Sequence, residues 1–168
     1  NAVSHFHAEK AKNIWPAYPL LPITNGIYQP RWLSVEKQHE PQQSHHFFEA
    51  HQVDKEELFR FVFQRTGKQI KPGSLVVTWA RRFVQYKRPE ALFWQLDWLE
   101  KIIRNSPVPI HFLFSGKVHP HDTAAKQSVN NVVLIAQSER FTKYITFIPN
   151  YNLEVAKYLV QGSDGWLN

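Results

Sequence analysis

The sequence predicts an α/β fold in which a parallel sheet is covered by helices on both faces. Three observations carry this. Short, nearly continuous apolar runs at "SLVVTWA" (74–80), "PIHFLFSG" (109–116) and "YITFIPN" (144–150) suit strands buried on both sides. Stretches with helical apolar spacing and recognisable caps alternate with them. The connections are short, and strand–helix–strand alternation of this kind implies right-handed crossovers between parallel strands.

In chain order, "DKEELFRFVFQRTG" predicts a helix that opens on Asp54 as N-cap, with Glu57 three residues on. Leu58, Phe61, Val62 and Arg65 sit at helical spacing and Gly67 ends it. After the first strand, "PEALFWQLDWLEKIIRN" starts a helix with Pro89 at its first position and the stripe Leu92, Leu96, Leu99, Ile103. Trp79 and Trp94, both in apolar runs, are expected in the core. The second strand leads to a helix capped by Asp122, with the stripe Ala125, Val129, Val132, Val133, Ala136. The third leads to a helix capped by Asn152 and stopped by Gly162, and "DGWLN" is placed to begin a fourth strand. The unit from 54 to 168 is therefore expected to be a partial Rossmann-like domain.

Residues 1–53 differ in character. "NAVSHFHAEKAKNIW" reads as a helix. "IWPAYPLLPITNGIYQPRWL" and its surroundings, with prolines at 16, 19, 22, 30 and 41, predict extended, irregular chain. "VEKQHEPQQSHHFFEAHQ" is polar and predicts a surface loop or short helix. The chain opens without methionine and both ends look cut, which suggests a piece of something larger.

Composition narrows the function classes. With 43% hydrophobic and 14% aromatic residues the chain is not disordered, and its formal charge of +6 makes anionic partners reasonable. The absence of cysteine excludes disulfides and thiolate metal sites. No apolar run approaches the ~20 residues of a membrane helix. Neither a Gly-x-Gly-x-x-Gly fingerprint nor a phosphate-binding P-loop follows the first strand, and no serine sits in a Gly-flanked elbow.

In such sheets ligands bind beyond the carboxyl ends of the strands. Three loops reach that edge: "RRFVQYKR" after the first strand, "GKVHPHD" after the second and "NYN" after the third. The first concentrates Arg81, Arg82, Lys87 and Arg88 before a helix. A tight turn could aim Arg82 and Lys87 at one phosphate, and a solvated basic turn is the alternative. "GKVHPHD" holds a His-x-His pair at His119 and His121, but no third ligand is close, so no metal is expected. Phe83 and Tyr86 interleave the cations, yet the charges form no stripe, so nucleic acid ranks below a small phosphate ligand.

At this point the motifs are similar to those of the α-glucan (glycogen, starch or maltodextrin) phosphorylases, pyridoxal-phosphate-dependent glycosyltransferases of GT-B architecture. "NAVSHFHAE" resembles their "NGVSxLH.E", "ITNGIYQPRWL" their "TNGI.PRRWL", and "ARRFVQYKR" the "ARRFATYKR" of the shorter bacterial branch. "FSGKVHPHD" is similar to "FAGKAHPxD", and "NYNLEVAKYLVQGSDGWLN" to "NYDxxLAxxLVxGVDVWLN".

The resemblance implies site roles, residue by residue. Arg82 and Lys87 match binders of the substrate phosphate, and Arg81 matches a contact to the cofactor phosphate. His7, Tyr86, Tyr151, Asn152 and Lys117 match positions around the sugar and its cleft. Val84 and Asn152 depart from the longer branch, which has histidine and arginine there. Residues 1–53 would then be the end of an N-terminal domain, and 54–168 the first half of the C-terminal catalytic domain.

The reaction so implied is retaining phosphorolysis of α-1,4-glucan to glucose 1-phosphate, with pyridoxal 5′-phosphate as cofactor of the parent protein. The family's cofactor lysine and glycine-rich cradle come after "WLN", so neither bound cofactor nor activity is expected of this piece alone. Glucan and inorganic phosphate or glucose 1-phosphate are the implied partners, without nucleic acid or membrane, and the location is cytoplasmic; an oligomer is left open. A sugar-nucleotide glycosyltransferase of the glycogen synthase kind and a non-catalytic glucan-binding module remain as alternatives.

Overall fold

The computed structural model describes residues 1–39 and 44–168. They form two compact units, Asn1–Arg31 and Trp32–Asn168. In the first, helix α1 (His5–Lys12) is capped by Ser4, whose Oγ accepts from the His7 amide. Two backbone hydrogen bonds pair Ala2 with the Leu21–Ile23 stretch, and Gln29–Arg31 makes a single 3-10 turn. The rest is turns and irregular chain, with Phe6, Ile27 and Tyr28 largely exposed.

The second unit opens with two helices, α2 (Val35–His39) and α3 (Ser44–Thr66). The helix does not start at Asp54 as expected: α3 begins ten residues earlier and Asp54 lies inside it. Its carboxylate is no cap. It pairs with the Lys37 ammonium at 2.7 Å, with both side chains almost fully buried, and accepts from the Ser34 hydroxyl at 3.0 Å. A long-range ion pair has overridden the local capping signature. Of the polar stretch expected as a surface loop or short helix, the described residues are helical, while Glu40–Gln43 fall outside the described residues. Gly67 ends α3 with φ +70, a left-handed conformation in which a side chain would be strained.

The core alternation follows: β1 (Leu75–Arg82), α4 (Leu96–Asn105), β2 (Ile110–Lys117), α5 (Thr123–Gln137), β3 (Ile145–Ile148), α6 (Leu153–Gly162) and β4 (Gly165–Trp166). All pairings are parallel and the order is β3-β2-β1-β4. The α/β, Rossmann-like expectation holds. Asp122 Oδ1 accepts from the Ala125 amide and Asn152 Oδ1 from the Val155 amide, so both expected caps are made. Gly162 is needed for a different reason than stopping α6. A Cβ there would press on Leu58 and the Asp54 carbonyl, where α6 crosses α3.

Two apolar clusters sandwich the sheet. One joins Trp79, Phe83, Phe112 and Phe114 to α4 and α5 through Leu99, Ile103 and Val132, with Phe141 from the turn after α5. The other joins Val76, Ala80, Leu113 and Ile148 to α3 and α6 through Leu58, Val62, Val155 and Leu159. Each fully buried Leu or Phe contributes about 1.5–3 kcal/mol. Pro89 does not open α4: a 3-10 turn at Ala91–Phe93 intervenes and the helix starts at Leu96. That break re-phases the stripe. Trp79 is core as expected, but Trp94 is 71% exposed. Among the described residues no helix is long and apolar enough to cross a membrane.

Candidate functional site

The chain runs β1 to β2 to β3 in one direction along the sheet, then crosses through α6 to set β4 on the other side of β1. The crevice between β1 and β4 is thus the switch point of the strand order, where open α/β sheets hold ligands at their carboxyl edge. A cavity of about 420 Å³ lies there. Trp79 and Phe114 are in its wall, Arg81, Tyr86, Lys87 and Arg88 supply its polar side, and Leu167 and Asn168 close it beyond β4. Three basic side chains and no acidic side chain line it, a set that favours an anion.

Alternation along β1 decides where the arginines go. Arg81 shares its face with Trp79 and lines the cavity. Arg82 shares its face with Ala80 and Thr78, on the α3/α6 side, and is exposed there without lining the cavity. The 3-10 turn Gln85–Lys87 then brings Lys87 back, with its ammonium 4.9 Å above the Tyr86 ring. Such a contact orients the ammonium without neutralising it. Arg88 closes the turn in the left-handed region at φ 47, and Asn150 does the same after β3 at φ 58. Non-glycine residues in that region are costly by roughly 1 kcal/mol and gather at functional edges.

The other expected residues fall as follows. Lys117 ends β2 as the register partner of Arg82, and Arg81 faces Gly116. Gly116 tolerates no side chain, since a Cβ would overlap the Arg81 carbonyl and the Phe83 ring. Tyr151 packs half-buried against the α3/α6 cluster, and burial pushes its phenol pKa up. The Asn152 amide oxygen is committed to capping α6. His7 lies on α1 in the first unit, where its Nδ1 accepts from the Val3 amide at 3.2 Å. His119 and His121 stand with ring centroids 5.6 Å apart, and no group of three or more metal-ligating side chains gathers among the described residues.

Arg88, Leu167 and Asn168 were not singled out from the sequence. Arg88 was visible as a fourth cation. The other two depend on β4 lying beside β1, which no local signal encodes.

A larger cavity, about 950 Å³, sits at the opposite, amino edge around Lys68, Lys71, Pro109 and Tyr144. Helix C-termini face that edge, and their carbonyl ends disfavour anions. Lys68 is used structurally there, donating to the carbonyls of Ala136 and Ile145 at 2.7 and 3.2 Å, and burial lowers its pKa. The carboxyl edge is the better candidate.

The sequence profile of the carbohydrate phosphorylases matches residues 32–165. A glycogen phosphorylase of Aquifex aeolicus is 26% identical, aligned to all of this chain and 31% of its own length. A maltodextrin phosphorylase of Thermococcus litoralis is 27% identical, over all of this chain and 26% of its own. A glycogen phosphorylase of Mycobacterium tuberculosis is 36% identical over 58% of this chain and 11% of its own. The chain spans less than a third of the length of these curated relatives.

Proposed function

The chain belongs to the carbohydrate phosphorylase family, and from that premise we propose that it serves phosphorolysis of α-1,4-glucan, yielding glucose 1-phosphate and a shortened chain with retention at the anomeric carbon. The observation that carries this is the cavity at the β1/β4 switch point, lined by three basic side chains and no acidic one. It is suited to phosphate groups.

In this reading Lys87 holds the substrate phosphate from the cavity wall as a point charge, and Arg82, exposed at the end of β1 outside that wall, is assigned to the same phosphate as a two-toothed donor. Arg81 faces a cofactor phosphate. A partly apolar wall with the Arg81 guanidinium and no acidic side chain fits the phosphate end of pyridoxal phosphate. When bound, that group would supply an acid–base partner to the substrate phosphate. Two phosphate groups side by side repel, and the residues of this chain offset that repulsion with pre-placed cations that need not reorganise during the reaction. Tyr86, Lys117, Tyr151, Asn152 and His7 are assigned to the sugar and the cleft.

Kinetics of an Arg82→Ala variant of the full-length protein test this. The KM for phosphate should rise at least tenfold, with the KM for maltodextrin changed less than about threefold. Equal effects on both substrates would remove Arg82 from the phosphate-holding role.

A further inference from the structure

β4 is only two residues long, and its hold on β1 is correspondingly thin. Gly165 and Trp166 pair in register with Val77 and Thr78. Gly165 has no side chain to pack, and Trp166 is 39% exposed. Leu167 adds one partly buried contact to the cluster under α4 and α5. Yet Leu167 and Asn168, which close the carboxyl-edge cavity, hang from this strand.

The firmer hold lies at the opposite, amino edge, on the residue that precedes β4. The Asp164 amide donates to the Val76 carbonyl at 2.9 Å, and Asp164 Oδ2 accepts from the Val76 amide at 2.7 Å. Val76 is fully buried, so without this carboxylate its amide would have no water to turn to. The same oxygen lies 2.6 Å from the Lys55 ammonium, and Oδ1 lies 3.1 Å from His51 Nε2. Both partners come from α3. One carboxylate, its side chain only 17% exposed, thus ties β1, α3 and the start of β4 together. Two neighbours reinforce it. The Thr78 and Ser163 hydroxyls meet at 2.6 Å, and the Lys37 ammonium donates to the Gln161 carbonyl at 2.9 Å, where the end of α6 favours a cation.

We infer that Asp164 is a positioning residue for the carboxyl-edge cavity: it fixes the height of β4 against β1, and with it the distance of Leu167 and Asn168 from Arg81 and Lys87. A strand rises about 3.3 Å per residue, so a slip of one step carries the wall by that distance and turns its side chains to the other face. Neither Asp164 nor its partners Lys55, His51 and Val76 line the cavity, so the carboxylate acts only through the strand. The inference rests on the proposed phosphate-holding role of that cavity.

Hydrogen–deuterium exchange and calorimetric titration with inorganic phosphate, both on the full-length protein, test it. In Asp164→Ala the amides of 164–167 should exchange about tenfold faster, while those of β2 keep their protection. The Kd for phosphate should rise about fivefold or more. Lys55→Met/Asp164→Asn keeps an acceptor for the Val76 amide and leaves no ammonium unpaired, and should restore both readings to within about threefold of wild type. Unchanged exchange at 164–167 overturns the inference. So does faster exchange with an unchanged phosphate Kd, which would make the contact structural only. Loss of protection across β2 as well, without recovery in the double variant, also counts against it. Phosphate binding that depends on Asp164 in a protein without phosphorolysis would instead sink the proposed reaction and leave the positioning role standing. A wild type that binds no phosphate would overturn both.

Discussion

Acidification from pH 7 to pH 4 should weaken the fold through one buried side chain, His111. It lies on β2 in the layer between sheet and helices, almost inaccessible, with Nε2 2.9 Å from the Thr146 hydroxyl. Burial, reinforced by the nearby Lys68 charge and only partly opposed by a backbone hydrogen bond at Lys143, lowers its pKa from 6.5 to about 4. The native state therefore keeps the imidazole neutral where the unfolded chain would protonate it. Above about pH 6.5 neither state is charged and the stability is unaffected. As pH falls from 6.5 to about 4 the unfolded state gains a proton that the native state refuses, and stability is lost. Below 4 both states carry the proton and the loss stops growing. The gap corresponds to roughly 3 kcal/mol, a large share of the 5–15 kcal/mol typical of a domain. Asp164, whose pKa is lowered by its hydrogen bonds to Lys55, Val76 and His51 against the opposing effect of burial, adds its own loss only at more acid pH. Urea midpoints followed by circular dichroism at several pH values, with proton NMR of the His111 ring, make the measurement. In His111→Gln the decline between pH 6.5 and 4 should shrink by about that amount. An unchanged decline in the variant, or a His111 resonance titrating near 6.5, would refute the reasoning.

Three substitutions probe the frame around the cavity. Gly116→Ala should destabilise by about 3 kcal/mol or more, because the added methyl meets the Arg81 carbonyl and the Phe83 ring, neither of which can swing away; denaturation midpoints would register it. Asp54→Ala should lose about 3–5 kcal/mol by leaving the Lys37 ammonium buried without its carboxylate. The double variant Lys37→Met/Asp54→Leu should recover most of that in the same assay, and no recovery would mean that the charge was not the cause. Asn152→Ala, which removes the cap of α6, should cost about 1 kcal/mol in thermal unfolding without altering far-ultraviolet ellipticity at 25 °C.

Much of the second unit was legible because its signals are local. Continuous apolar runs mark β1, β2 and β3 within two residues at their ends, and Asp122 and Asn152 announce their helices. Non-local terms account for the misses. Asp54 has the local look of a cap, but its partner Lys37 comes from another helix, and only that pairing makes a buried mid-helix carboxylate tolerable. The start of α3 is masked by glutamines and histidines that give no clear apolar period. Trp94 sits in a run that reads as core until the 3-10 turn at Ala91–Phe93 rotates it outward. The strand order, which creates the crevice, depends on which edge α6 returns to, and no stretch of residues states that.

Neighbouring arginines on β1 look redundant in a linear reading, yet the pleat sends them to opposite sides of the sheet. Which of them serves the cavity is then a question of strand register alone. A slip of one residue would exchange Arg81 for Arg82 at the crevice while leaving composition, net charge and apolar content untouched. The close approach at Gly116 and the hydrogen bond from the Phe83 amide to the Lys117 carbonyl hold β1 against β2 at the very end where such a slip would matter. A glycine with no chemistry of its own thereby acts as the alignment pin of the electrostatics.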